Sequence, residues 1–388
     1  MANKIRYSDS KYIKLLLVAI YIGIALIICR YAKKNAYYDL DIVMYTACAL
    51  ENESMSHKQL HDAAYDLAKD ELGEGRFRNM IDSTKYYRHS IYRSAENFYS
   101  QLPFYRIKPL YVCILKTANS FGVSPILFST YVNLLAYLSI SIVLLYYLIR
   151  FIGFYKGWLI SFCTMLLPIV LDTIKNNTPD MLSSFFILVA VMLLMSDSEF
   201  RRNIAFILFC LAVFVRPESI IFVTAFCGIA FFYKLPEYSN KYLVVLFSTS
   251  ALCYLFVSFY YHAYPWTLLY KHSFLGYIPD LNNADTSLTI NGYIHGLRFI
   301  PNTVFYSDFF LILLFLVLPF LLYAKAYWKT KLFVAAQVLL VSVIIRVILF
   351  PDLSIRFYTG VFLISVVLFF RILLGNQKPK VSNNFNSN

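Results

Sequence analysis

Ten apolar runs follow one another along this chain, at residues 12–30, 126–149, 157–174, 180–196, 203–216, 218–233, 241–262, 303–324, 331–350 and 356–374. Most reach the roughly 17–25 residues that an α-helix needs to cross the hydrocarbon of a bilayer. Lipid offers no partner to a backbone N–H or C=O, so repeated crossings demand helices that satisfy these groups internally. Composition agrees. The 388 residues are 59% hydrophobic and only 15% charged, with a mean hydropathy of +0.60, which leaves little charge to cover a soluble domain of this size. The expected fold class is an all-α polytopic membrane protein with about ten transmembrane helices, a single domain over residues 1–374. The run 203–216 is short and must borrow neighbouring residues or sit where the bilayer thins. The first run follows Lys4, Arg6, Lys11 and Lys14, as a signal peptide would. It is long for one, and "ICRYAKKN" offers no small-x-small cleavage site, so it reads as a retained helix.

Loop charge predicts the orientation. The loops on the side of the N-terminus carry sixteen Lys and Arg, Arg150, Arg201, Lys325 and Arg371 among them. Only four acidic residues oppose them: Asp9, Asp197, Glu199 and Glu237. Basic loops remain cytoplasmic, so both termini are expected inside, in a plasma (inner) membrane. This face holds nearly all of the net charge of +13, so the positive charge requires no nucleic acid. The polar end 375–388, "GNQKPKVSNNFNSN", reads as a disordered cytoplasmic tail. The seven Cys form no CxxC pair and lie mostly in apolar runs, where they read as small hydrophobes.

Residues 31–125 and 263–302 are then the two large extracytoplasmic loops. The first carries half of the acidic residues and has helical signals of its own. In "SHKQLHDAAYDLAKDELG" Ser56 and Gln59 form a capping box, apolar residues recur at Leu60, Ala64, Leu67 and Leu72, and Gly73 reads as a stop. Residues 108–122 read as a second helix laid on the outer surface, because counting it as a span would turn every later basic loop outward. His57 and His61 share one helix face with Glu53 a turn earlier, a spacing that can bind a metal but more often marks a solvated helix.

Sorted by depth, Asp39, Asp41, Lys108, Asp172, Lys175, Asp180, Arg216, Glu218, Arg346 and Arg356 all fall at outer helix ends or outer turns. No span carries a charge near its middle, where a coupled transporter usually has one. Carboxylates mixed with cations at the outer boundary suit group transfer from a lipid-linked phosphate, in which cations hold the phosphate and a carboxylate activates the acceptor.

"DIVMY" (41–45), followed by an outer loop, "RIKPLY" (106–111) and a surface helix ending "FG", resembles the GT-C superfamily of glycosyltransferases. It is most similar to the branch of the bacterial lipid A aminoarabinose transferase and the protein O-mannosyltransferases. "NNTPDMLSSFFILVAVMLL", "FVRPESIIF" and "LSIRFYTGVFL" resemble later segments of the same class. The resemblance implies an enzyme that moves a sugar from a polyprenyl-phosphate-linked donor to an acceptor hydroxyl on a lipid, glycan or protein. It implies Asp41 as the catalytic carboxylate, Lys108 at the donor phosphate, and Asp180 in the same cavity. A divalent metal is allowed by the resemblance, but the residue before Lys108 is Ile107, where the aminoarabinose branch has an acidic residue. No metal ligand is assigned.

Each of these residues also has a plainer reading. Asp41 precedes an apolar run and could cap a helix, although Asp39, two residues earlier, is the better cap and is kept as the second candidate carboxylate. Lys108 opens a helix before Pro109, where a cation opposes the helix dipole; a residue that breaks a local rule points to function. Asp180 follows Pro179 and could merely complement the positive end of its helix. Arg216 could snorkel or pair with Glu218, and Arg356 could pair with Asp352. Tyr45, four residues after Asp41, completes the substrate-binding candidates. Two other functions remain open, a lipid-linked glycan polymerase or ligase and a lipid-linked sugar transporter or flippase. The first usually carries its large loop late in the chain, and the second needs paired repeats or midplane charge.

Overall fold

The computed structural model describes residues 2–374 except 83, 197, 236–237, 299, 301–308 and 328–329. The tail 375–388 and the start of the run 303–324 thus lie outside the described residues. The chain opens with α1 (Ala2–Lys34). Six shorter helices follow: α2 (Leu40–Leu50), α3 (His57–Met80), α4 (Tyr86–Arg93), α5 (Ala95–Gln101), α6 (Pro103–Arg106) and α7 (Pro109–Ser120). Next come α8 (Pro125–Ile152), α9 (Phe154–Met165), α10 (Pro168–Lys175), α11 (Asp180–Leu194), α12 (Glu199–Val215), α13 (Ile220–Phe232) and α14 (Asn240–Tyr260). Two short helices, α15 (Trp266–Phe274) and α16 (Ile290–Leu297), precede α17 (Phe309–Tyr327), α18 (Lys331–Leu349) and α19 (Thr359–Leu374). Single 3₁₀ turns, Pro217–Ser219 and Ile355–Tyr358, lead into α13 and α19. Among the described residues there is no strand beyond an isolated bridge between Tyr37 and Asn176.

Among the described residues, five helical stretches are long and apolar enough to cross a membrane: Lys11–Lys34, Pro125–Ile152, Asn240–Tyr260, Lys331–Leu349 and Ile355–Leu374. The shortest, of 19 residues, is about 28 Å long at 1.5 Å per residue, close to the ~30 Å of a hydrocarbon core. Their outward faces expose large apolar side chains such as Leu15, Ile27, Leu252 and Phe259, a surface that lipid rather than water would cover. The chain is an all-α protein with the helices of a multi-pass membrane protein.

The ten apolar runs do not become ten long helices. Residues 157–174, expected as one span, are α9 and α10, a pair that passes the same test together but is bent by 54°. Pro168 has no N–H to give and forces Leu167 out of the helical region (ψ 143°), so the helix must restart there. The runs 180–196 and 218–233 yield α11, of 15 residues, and α13, of 13. Each is well short of the hydrocarbon thickness. The run 203–216 does draw on preceding residues, since α12 starts at Glu199, yet reaches only 17. α11 and α13 belong to the same buried core as the long helices through Met181, Leu188, Val223 and Phe226.

Residues 31–125 fold into a helical body with its own core. The apolar helix α2 is buried from Ile42 to Ala49 and packs with Leu60, Ala64 and Ala68 of α3 and with Phe98 and Leu102. The capping box at Ser56 and Gln59 forms as expected. Gly73 kinks α3 rather than ending it. At φ 72° and ψ 161° it takes a conformation that a side chain would strain, and the helix resumes to Met80. The segment 263–302 seats on this body: Gln101 donates to the Pro279 carbonyl (3.1 Å) and Tyr264 to the Ser100 carbonyl (2.9 Å). The same segment reaches the C-terminal end of α18, where Trp266 and Tyr293 donate to the Leu349 and Ile348 carbonyls.

Candidate functional site

Three chain segments distant in sequence meet where the helical body joins the long helices. The Tyr37 N–H donates to the Lys175 carbonyl (2.8 Å), which fixes the start of α2 beside the loop 176–179. That loop is held from α8, by Asn133 on the Asn176 carbonyl and Thr130 on Asn177 (3.0 Å). Thr173 bonds Thr359 at 2.7 Å, which brings the start of α19 alongside. Gly360 eases the close approach of α19 to α11, since a Cβ there would lie 3.0 Å from the Ser184 Cα. The result places Asp41, Asp180 and Arg356 within one network.

Asp41 sits in the first turn of α2, where a carboxylate complements the helix dipole. Its Oδ1 accepts from the Tyr105 hydroxyl at 2.8 Å, and its Oδ2 pairs with Arg356 Nη1 at 3.3 Å. Its side chain keeps 28% of its surface exposed. Asp39 has other partners. It caps α2 by accepting from the Leu40 N–H (2.8 Å) and pairs with the buried Arg88. The two carboxylates of "DLD" thus belong to two networks, and only Asp41 reaches the arginine of α19's leading turn.

Lys108 precedes α7, and its Nζ donates to the Phe104 carbonyl at 2.8 Å, closing the last turn of α6. The ammonium lies 5.3 Å from the ring centre of Tyr45 and 5.1 Å from that of Tyr105. Tyr45 is buried and packs edge-on against Tyr105 and Tyr111. Burial, reinforced by the Arg216 charge, pulls the Lys108 ammonium down from its usual range to about 8, while Glu218 and Asp41 oppose the shift.

Asp180, Arg216, Glu218 and Arg356 line one cavity of about 70 Å³ between α11, α13, α18 and the Ile355–Tyr358 turn. Asp180 is 3% exposed and accepts from Thr178 Oγ1 at 2.6 Å. It pairs with Arg216 and lies 3.8 Å from Arg356 Nε. Arg216 also donates through Nε to Glu218 (2.8 Å). Arg356 therefore links the cavity's carboxylate to Asp41. The partner expected from sequence for Arg356, Asp352, instead accepts from Ser354.

Two residues of the site had no role assigned from sequence, although Arg346 was already placed at the outer boundary with the other charges. Arg346, in the last turn of α18, lines the cavity and lies over Phe357, whose ring also carries the Arg216 and Arg356 guanidiniums, all within 5 Å. Its cue was present: a lone Arg ten residues before Arg356 in an otherwise apolar run. Tyr105, which orients Asp41, had no cue, because 33 tyrosines hide any one of them.

Among the described residues a metal finds no fitting ligand set: no three His, Cys, Asp or Glu side chains gather in a suitable arrangement, and Ile107 supplies no ligand atom. His57 and His61 have separate partners: the first pairs with Glu96 (2.8 Å) and stacks on Tyr99, the second holds Asp62 and the Tyr92 carbonyl.

No family model matches this chain, and no curated protein or solved structure matches it either.

Proposed function

We propose that this protein is an integral membrane glycosyltransferase that moves a sugar from a polyprenyl-phosphate-linked donor to an acceptor hydroxyl outside the cytoplasm. The observation that carries the reading is the linked pair of half-sites: a partly exposed carboxylate, Asp41, joined through Arg356 to a cavity rich in cations. The phosphate of the donor draws Arg356 away from Asp41 and toward itself. Asp41 Oδ2 is then free to take the proton of the acceptor hydroxyl while Tyr105 holds Oδ1. The acceptor oxygen attacks the anomeric carbon, the bond from that carbon to the phosphate oxygen breaks, and the polyprenyl phosphate leaves with the electron pair. Lys108, Arg216 and Arg356 stabilise the negative charge that grows on it. A single displacement of this kind inverts the anomeric centre.

The direct test is transfer by the purified protein from a panel of polyprenyl-phosphate sugars to membrane extract, read by mass spectrometry. A panel that yields no transferred sugar, with the same protein competent in binding the donor, would sink the reading.

Lys108 makes the activity pH-dependent. With its ammonium at about 8, below the ordinary lysine value, the cation is present below that pH and lost above it. Donor affinity should hold up to about pH 8 and decline as pH rises toward 10, and Lys108→Arg should flatten the decline because a guanidinium stays charged. An identical profile in the arginine variant would remove Lys108 from the phosphate.

The sidedness follows from the loop charges and is tested by labelling. In a cysteine-free background, cysteines at exposed Lys116 and Asn283 should react with an impermeant reagent from outside, and one at Lys156 should not. Reaction at 156 from outside would invert the site to the cytoplasmic face.

A further inference from the structure

Three guanidiniums surround Phe357, yet only two have carboxylates. Arg216 holds Asp180 and Glu218, and Arg356 holds Asp41 and Asp180. Arg346 makes no ion pair among the described residues, and its Nε is buried without a hydrogen-bond partner. Its guanidinium lies 4.6 Å from the Phe357 ring centre and 5.0 Å from that of Tyr358. The rings hold it over the cavity but satisfy none of its N–H groups. A buried donor left unpaired is costly, and one that native proteins retain calls for a partner such as water, an ion or a ligand. The cavity wall carries three arginines and two acids, Asp180 and Glu218, with Asp41 held outside the lining by Arg356. Its volume of about 70 Å³ is several times the ~10–15 Å³ that one water requires.

We propose that Arg346 anchors an oxyanion site in this cavity, which takes one phosphate group through the guanidinium of Arg346, with Arg216 and Arg356 on either side. The inference rests on the proposed function and deepens it by placing the donor's phosphate on a specific residue. Two sources share this chemistry, the headgroup of a lipid phosphate and free inorganic phosphate.

The test uses the full-length protein in detergent, with thermal unfolding and binding measured against farnesyl phosphate, inorganic phosphate and, as an uncharged control, farnesol. Wild-type protein should be stabilised by farnesyl phosphate and not by farnesol. Stabilisation by inorganic phosphate to the same degree would make the site one for free anion, still on Arg346. Arg346→Met keeps most of the apolar contact and removes the charge. It should weaken phosphate binding about ten- to a hundredfold, as loss of a charge-assisted hydrogen bond does. Its unliganded unfolding midpoint should hold or rise, because a buried N–H without a partner is gone. Arg346→Lys should retain part of the affinity. If Arg346 only props Phe357 and Tyr358, the Met variant will unfold earlier and bind phosphate as the wild type does, which overturns the inference. Phosphate binding that depends on Arg346 in a protein that transfers no sugar would leave this site standing and remove the glycosyltransferase reading instead.

Discussion

Replacing Asp41 with Asn should slow sugar transfer about 10²- to 10⁴-fold, the range over which a general base contributes. The amide keeps the volume of the carboxylate, and its oxygen can still accept from Tyr105, which sits 2.8 Å away. What is lost is the proton acceptor. Donor affinity should hold or rise, because the phosphate is held by the cations and Asp41 competes with it for Arg356. Asp39→Asn makes the informative contrast. Asn caps a helix about as well as Asp, so α2 should keep its start. Arg88, however, is 6% exposed and would lose its carboxylate. Removing one partner of a buried pair costs about 3–5 kcal/mol, and because a third of the Asp39 side chain faces solvent the expected loss falls below that range. Transfer per folded molecule should stay near wild type. The measurement is transfer rate, donor affinity and unfolding midpoint for both variants in parallel. A rate loss at Asp39 equal to that at Asp41 would mean that Asp41 is one more member of a charge network and not its base.

The local signals in the sequence carried far, and the lengths did not. The capping box at Ser56 was legible because its chemistry is confined to four residues. The helix of residues 109–120 was legible from Pro109 and its apolar face, and the long helices from their hydropathy alone. The bend at Pro168 could have been read from the same rule that governs any proline inside a helix, but an apolar run hides its own breaks. α11 and α13 come out shorter than their apolar runs suggested, because hydropathy marks a helix as apolar without saying where it ends or whether lipid or protein covers it, and here protein covers much of both. In the candidate site, the cations and carboxylates were legible through their shared depth, while their pairing was not. Asp180 meets Arg356 across 176 positions, and Asp41 meets the same arginine from the other end of the chain (|i−j| 315); no spacing rule reaches that far. Glu218 was expected to pair with Arg216 because it is two residues away, and it does. Asp180, the deeper partner, was invisible to that argument.

Depth makes Asp180 the residue whose charge matters most to folding. It is 3% exposed, and it is the shared counter-ion of Arg216 and Arg356. Asp180→Asn preserves shape and the bond from Thr178 but leaves the cavity with three arginines against Glu218 alone. Breaking a buried ion pair by neutralising one member costs about 3–5 kcal/mol. The lower end is expected here, since Arg216 retains Glu218 and Arg356 retains Asp41. Unfolding in detergent should therefore shift by about 3 kcal/mol, more than for any other single change in the site. The variant's surplus charge predicts how the loss can be repaired. Phosphate should stabilise the Asn variant more than it stabilises wild type, because an anion in the cavity replaces the missing carboxylate. Adding Arg346→Met should restore part of the stability without any anion, since it removes a positive charge from the same wall, and the two changes should be non-additive as neighbours in one network are. If Asp180→Asn unfolds with the wild-type midpoint, water in the cavity already screens the arginines, and the carboxylate is free to act on a substrate instead.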